Sequence, residues 1–315
     1  MITNARSGKA AAATTPATEL HGTIDQFLKE KEEQRSPRTG EKLSFASLNQ
    51  YRVILTTIWE PWFKAQTGKG GRDVDQTLDA FTDSLQAAGR RRDGKELSLQ
   101  TIRTYVKVVR VYLRWAEAPS VRYVAIRAKK KKLDTLTRDE IDAMERAART
   151  ERDRLLVRVL ADTGIRVGEL VTLTAGSLHE DRRGRLWWIE VDGKTGLRTV
   201  PMPRETWRRL KAYADSNPGD EYIFMGARRR ADGERERLTP GGASQMIGNL
   251  GKDAKIGKRV YSHLFRHSYA THMLNRGMNP IELQRILGHS SLEMISENYA
   301  HLKVGDLYAA MERAL

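Results

Sequence analysis

Between Ser98 and Trp115 the apolar residues Ile102, Tyr105, Val106, Val109, Tyr112, Leu113 and Trp115 recur one helical turn apart. An α-helix gathers such a set onto one broad face, whereas a strand would divide it between two. The same spacing governs Leu48, Tyr51, Ile54, Leu55, Ile58 and Trp62 after Ser44, and Val74, Leu78, Phe81 and Leu85 before the turn Gly89-Arg90-Arg91-Arg92-Asp93-Gly94. A shorter run with Ile24, Phe27 and Leu28 ends near Ser36-Pro37, where proline disfavours helix for the residue before it. Four helices are therefore expected before residue 118, packed helix on helix. Residues 1–17 show neither helical nor strand periodicity and are expected to form a mobile tail.

The second part of the chain opens with a capping-box pattern, Thr137 followed three residues on by Glu140. Leu155, Leu156, Val159 and Leu160 continue as a buried helix to Gly164. Helical patterning is then interrupted by two β-like runs, Leu186 to Val191 and Thr199 to Met202, which flank Asp192-Gly193-Lys194-Thr195-Gly196. The glycines indicate a turn, so Lys194 is expected at a hairpin tip. Helices are expected again around Trp207, Leu210 and Tyr213 and from Ser244 to Leu250, with Tyr222-Ile223-Phe224 as a short extended piece. Two closing helices should turn Leu264, Ala270, Met273 and Leu274, then Ile281, Leu283, Ile286 and Leu287, toward a core. At 315 residues the chain exceeds the usual size of one compact domain. The expected fold is mainly α, in two domains, with a small antiparallel β-sheet in the second.

The net charge of +15 narrows the partner. Residues 1–132 carry 25 Lys/Arg against 14 Asp/Glu, and residues 133–315 carry 30 against 26. A basic excess concentrated in the first part suits a polyanion, and phosphate neutralisation is a large term in nucleic-acid affinity. Arg103, Lys107 and Arg110 interleave with the apolar face of the fourth helix, and with Arg90, Arg91 and Arg92 they are candidate contacts to DNA phosphates. A solvated helix face is the plainer account of the same residues. The run Lys129, Lys130, Lys131 and Lys132, in a segment from 119 to 132, reads as a basic linker between domains. The chain contains no cysteine, which excludes disulfides, a thiol nucleophile and thiolate metal sites. No stretch approaches the ~18 consecutive apolar residues of a membrane span, and no secretory signal is evident. A cytoplasmic, nucleoid-associated protein is expected.

The chemistry-bearing residues crowd toward the end: His263-Leu264-Phe265-Arg266-His267, Leu287-Gly288-His289 and Tyr299-Ala300-His301. Taken with Arg166 and Lys194, they form a set suited to a phosphodiester. Two planar guanidinium groups can each give paired hydrogen bonds to nonbridging oxygens and stabilise the extra charge of a pentavalent transition state. A lysine on a hairpin can donate a proton, and histidines donate hydrogen bonds or exchange protons near neutral pH. Tyr299 would be the nucleophile, its phenol favoured as phenolate by surrounding cations. His263 and His267 lie four residues apart, but Leu264 stands where a His-Glu-x-x-His metal motif needs glutamate, so a metal site is not expected.

Thr163-Gly164-Ile165-Arg166-Val167-Gly168-Glu169-Leu170, His263-x-x-Arg266-His267, Leu287-Gly288-His289 and Tyr299-x-His301 resemble, in order, the signature of the tyrosine recombinases, the family of phage integrases and Xer-type recombinases. The resemblance implies a catalytic domain over 133–315 and a helical, SAM-like core-binding domain over 18–118, together forming a C-shaped clamp on DNA. It implies that Arg166 and Arg266 clamp the scissile phosphate, that His263 and His289 hydrogen-bond its oxygens, and that Lys194 is the general acid. Tyr299 then attacks phosphorus to give a 3′-phosphotyrosyl link, with strands exchanged through a Holliday junction. Glu169, His267 and His301 are implied as supporting residues. Phe265 replaces a common leucine, and a second lysine frequent near Leu197 is missing. The implied partners are double-stranded core recombination sites and further copies of the chain, monomeric in free solution and tetrameric in the synapse. The implied role is integration or excision of a mobile element, or Xer-like resolution. The segment from about Gly305 to Leu315 is expected to dock on a neighbouring protomer or to pack in cis. Three other readings remain open: relaxation of DNA in the manner of a type IB topoisomerase, DNA binding without catalysis, and a metal-dependent nuclease.

Overall fold

The computed structural model describes residues 22–35, 40–66, 74–88, 96–116, 134–193, 196–229, 233 and 235–288. The chain divides into two compact units, Met1–Lys131 and Lys132–Leu315. Of the sequence expectations, the 1–17 tail, Arg90, Arg91, Arg92, Lys129, Lys130, Lys131, Lys132, Lys194, His289, Tyr299, His301 and the C-terminal segment lie outside the described residues. The mainly α fold with small antiparallel sheets is borne out.

In the first unit, helices α1 (Ile24–Glu33), α2 (Phe45–Ile54), α3 (Glu60–Gln66), α4 (Val74–Ala88) and α5 (Leu99–Trp115) surround one core. The starts of α1, α2 and α5 follow from local chemistry. Thr23 and Gln26 form a reciprocal capping box, and Ser44 and Ser98 accept from the backbone N–H of Ser47 and Thr101. Ile102, Val106, Val109, Tyr112 and Leu113 of α5 are buried as their spacing requires. They meet Phe27, Leu55, Trp59 and Phe81, with Trp59 edge-on to Phe81 at 5.1 Å. The run expected as one helix after Ser44 contains a π-helical stretch, Leu55–Trp59, between α2 and α3. Its extra residue per turn brings Leu55 and Trp59 both into the core. Arg103 and Lys107 stand on the exposed side of α5, and Arg110 is half-buried.

The second unit contains α6 (Arg138–Ala147), α7 (Glu151–Thr163), the one-turn α8 (Val167–Leu170), β1 (Leu178–Glu180), β2 (Trp187–Gly193), β3 (Gly196–Pro201), α9 (Arg204–Asp215), β4 (Met225–Arg229), β5 (Arg235–Arg237), α10 (Pro240–Asp253), α11 (Ser262–Asn275) and α12 (Pro280–Leu287). The expected capping box at Thr137 and Glu140 is present. Helix α7 is its hydrophobic axis: Leu155, Leu156, Val159 and Leu160 are fully buried. Ion pairs lock its outer side, Arg158 binding Asp142 and Glu145 of α6, while Arg209 of α9 binds Glu145 and Glu151. Buried Ser268 of α11 accepts from the Leu136 N–H at 2.7 Å and donates to the Leu264 carbonyl at 2.6 Å, tying the entry of the unit to its centre.

The sheet order is β1-β2-β3, antiparallel, with β2 and β3 in register down to Gly193 opposite Gly196. A second, two-stranded sheet pairs β4 with β5. That pairing corrects the expected extended piece at Tyr222-Ile223-Phe224. Ile223 donates instead to the Leu173 carbonyl at 2.8 Å, Ile223 and Phe224 enter the core, and the ladder begins only at Met225. Ile281, expected inward, is 50% exposed, because Leu283 and Leu287 take the face of α12 that meets Tyr269, Ala270 and Leu274 of α11.

Candidate active site

Arg166 lies in the short link between α7 and α8, and Gly164 produces that link. Gly164 caps α7 with φ of 64°, in the left-handed region that glycine enters freely. A Cβ there would stand 2.6 Å from the ring of Tyr269, so the backbone approaches α11 closely. The close approach has a purpose on the other side of the peptide. The Gly164 carbonyl accepts from Arg266 at 3.0 Å, and the other terminal nitrogen of Arg266 donates to the Leu287 carbonyl at 2.5 Å. Arg266, only 5% exposed, therefore joins α7, α11 and α12 while its charge remains in the unit's interior.

Glu169 organises the arginines around it. Its carboxylate is buried and accepts from the Arg166 N–H at 2.7 Å, Arg166 Nη1 at 2.9 Å, Arg198 Nη1 at 2.9 Å and Arg198 Nη2 at 2.8 Å. Burial works to raise the carboxyl pKa, but hydrogen bonds from Arg198 and Arg166 outweigh it and hold the group below the ordinary glutamate range. Gly193, at the end of β2, allows this packing: a Cβ built there would lie 2.4 Å from Glu169 Oε1. Arg166 also reaches the Gly288 carbonyl at 3.3 Å, and its side chain keeps 29% exposure. A guanidinium that is anchored yet open is placed to receive an anion.

His263, in the first turn of α11, is exposed beside this cluster. Its pKa lies below the ordinary histidine range, first through partial desolvation and then through the positive charges of Arg266 and Arg166, with Glu169 pulling the other way. The imidazole is therefore neutral at neutral pH and retains a basic nitrogen. His267, one turn on, is half-buried, and burial lowers its pKa too. Among the described residues no group of three or more His, Asp or Glu is arranged to hold a metal ion, and no helix is long and apolar enough to cross a membrane.

The fold thus brings the pair Arg166 and Glu169 together with the pair His263 and Arg266, nearly a hundred residues further along the chain. It adds Arg198 of β3, which the sequence analysis overlooked. Its sequence signal was weak: an arginine two residues after a turn glycine, in a strand where exposed charge is ordinary.

A mainly helical unit with a small sheet thus gathers three arginines and a histidine around one buried carboxylate. Residues 134–305 match the model described as the phage integrase family. Tyrosine recombinase XerA of Pyrococcus furiosus is 31% identical over 74% of this chain and 80% of its own length. Tyrosine recombinase XerC of Lacticaseibacillus casei is 30% identical over 50% of this chain and 52% of its own. The chain belongs to the phage integrase family: it is a tyrosine recombinase, of the enzymes that break and rejoin DNA in site-specific recombination. Solved structures of similar fold include the XerH site-specific recombinase bound to difH substrate, with a TM-score of 0.67 at 19% identity over 91% of this chain and 94% of that one. The Tn1549 transposon integrase in complex with transposon right end DNA gives 0.65 at 20% identity over 93% and 99%.

Proposed function

We propose that this chain cuts and rejoins double-stranded DNA at short core sites, with Arg166 and Arg266 as the phosphate clamp and Tyr299 as nucleophile. The observation that carries the reading is the anchored but open guanidinium of Arg166, set by Glu169 beside the buried Arg266 and the neutral His263. The Tyr299 oxygen attacks phosphorus, the bond from phosphorus to the 5′ oxygen breaks, and Lys194 gives that oxygen its proton. His263, neutral, accepts a proton, and His289 supports the nonbridging oxygens. The 3′-phosphotyrosyl bond retains the energy of the broken linkage, so the 5′ hydroxyl of a partner strand restores a phosphodiester and frees the tyrosine. Neither metal nor nucleotide enters this cycle. His267 and His301 support the site from neighbouring positions.

The basic excess of the first unit supports a role in holding the duplex, with Arg103 and Lys107 exposed on α5 and Arg110 beside them. The assembly proposed is two copies per core site and four in the synapse, with strands passed through a Holliday junction, in the cytoplasm on the nucleoid. The test starts by covalent capture of a core site from a random-sequence duplex library, followed by a nicked suicide version of that site. Wild type becomes trapped on it; Tyr299→Phe does not, and trapping that persists in Tyr299→Phe refutes the nucleophile. Arg166→Ala binds the site but cleaves slowly, in the presence or absence of chelator.

A further inference from the structure

Three successive carbonyls at the C-terminal end of α12 each accept from a different arginine. Ile286 accepts from Arg198 Nε at 2.9 Å, Leu287 from Arg266 at 2.5 Å, and Gly288 from Arg166 at 3.3 Å. Carbonyls at a helix C-terminus lack intrahelical donors and carry the negative end of the dipole, so a row of cations there is favourable. The three arginines are used differently. Arg166 retains exposed surface, with only one short side-chain bond. Arg198 is 10% exposed, and each of its three guanidinium nitrogens is committed to the protein, two to Glu169 and one to Ile286.

We propose that Arg198 is a positioning residue that sets Arg166 for the scissile phosphate by sharing the Glu169 carboxylate. The proposal rests on the reading of Arg166 as a phosphate ligand. Its physical basis is charge and geometry together. If Glu169 faced Arg166 alone, the pair would be neutral, and the carboxylate would draw the guanidinium toward itself and away from a phosphate. With Arg198 holding both carboxylate oxygens, the trio carries a net positive charge and the carboxylate is fixed by a two-point contact. Glu169 then holds Arg166 at one guanidinium nitrogen and at its own backbone N–H, the Gly288 carbonyl takes a longer bond from a second nitrogen, and the net positive charge of the trio is left for the anion. The Ile286 contact adds a register: β3 and the end of α12 are held to the same arginine.

The experiment compares covalent trapping by the full chain on the nicked core site with trapping on the same duplex carrying a methylphosphonate at the scissile position. The methylphosphonate lacks the nonbridging negative charge, so an arginine that serves that charge matters less there. Arg198→Ala is expected to trap the phosphodiester about ten- to a hundredfold more slowly, the scale of a misplaced catalytic contact. Site binding should stay near wild type, and melting should stay cooperative at a lowered temperature, because Arg198→Ala removes one partner of a buried ion pair. On the methylphosphonate the ratio of wild type to variant falls toward one, and in an Arg166→Ala background Arg198→Ala costs nothing further. Equal loss on both substrates, or the full loss added on top of Arg166→Ala, overturns the proposal in favour of a purely structural residue. If Arg198→Ala does not melt cooperatively, Arg198→Lys enters the same comparison, keeping the charge but losing the planar fork. Normal trapping by Arg166→Ala itself would instead refute the phosphate-clamp reading, whereas a slow Arg166→Ala beside a wild-type Arg198→Ala sinks only the role of Arg198.

Discussion

Replacing Glu169 by alanine tests the organisation of the site directly. The change removes the acceptor of four hydrogen bonds and leaves two guanidinium groups facing each other across a cavity. Breaking a buried ion pair by deleting one partner costs about 3–5 kcal/mol. Arg198 is 10% exposed and Arg166 29%, so Arg166 regains some hydration when the carboxylate goes, and the lower end, ~3 kcal/mol, applies. For a unit of this size each kcal/mol moves the melting temperature by ~2–4 °C, so the second unit should melt ~6–12 °C lower. Calorimetry of the full chain measures this, with Glu169→Gln as a second variant. Glutamine preserves volume but points an amide N–H₂ at arginine donors, so it should recover little. Removing Arg198 from the Glu169→Ala protein should restore part of the loss, since the repulsion then has one partner fewer. A loss below ~1 kcal/mol, the level of an exposed ion pair, would refute the claim that Glu169 holds the arginines. Acid gives an independent reading. The folded carboxyl titrates below its unfolded counterpart, so its stabilisation is complete above the ordinary value of 4.5 and is lost as pH falls through the folded pKa. That limb should be missing in Glu169→Ala.

Gly164→Ala should destabilise the second unit by about 1–3 kcal/mol, through left-handed strain and overpacking against Tyr269, and should slow trapping because the Gly164 carbonyl holds Arg266; urea titration that finds the variant as stable as wild type would contradict the packing. The His263 imidazole, followed by NMR, should titrate below the ordinary 6.5. Because the folded pKa is depressed, His263 contributes stability that is present above pH 6.5 and declines as pH falls through its folded pKa. Arg166→Ala, which removes one of the nearby positive charges, should move that titration upward, and an unchanged or lowered value would show that the two groups do not interact.

Several features were legible from local pattern. The spacing of Ile102 to Leu113 predicted both the helix and its buried face, and Thr137, Ser44 and Ser98 marked starts that the backbone obeys. Gly164 announced the end of α7 and the turn that presents Arg166. The ordered motifs pointed to Arg166, Glu169, His263 and Arg266, because a family resemblance is carried by residue types in order along the chain. Other features had no local signature. The π-helical stretch at Leu55–Trp59 has the same apolar content as an α-helix and arises where Trp59 meets Phe81. Strands β4 and β5 are short and rich in arginine, so their pairing shows no alternation of apolar and polar residues.

The sequence by itself determined most of the helices, the β2–β3 hairpin and the chemical inventory, since helix periodicity, caps and turn glycines act between residues a few positions apart. Only the tertiary structure decided which charges share a partner. Arg198 meets Glu169 across 29 positions and Ile286 across 88, and Arg166 meets Gly288 across 122. Such contacts depend on where α8, β3 and the end of α12 converge. A buried carboxylate takes whatever cations that convergence supplies, and no local pattern records which they will be.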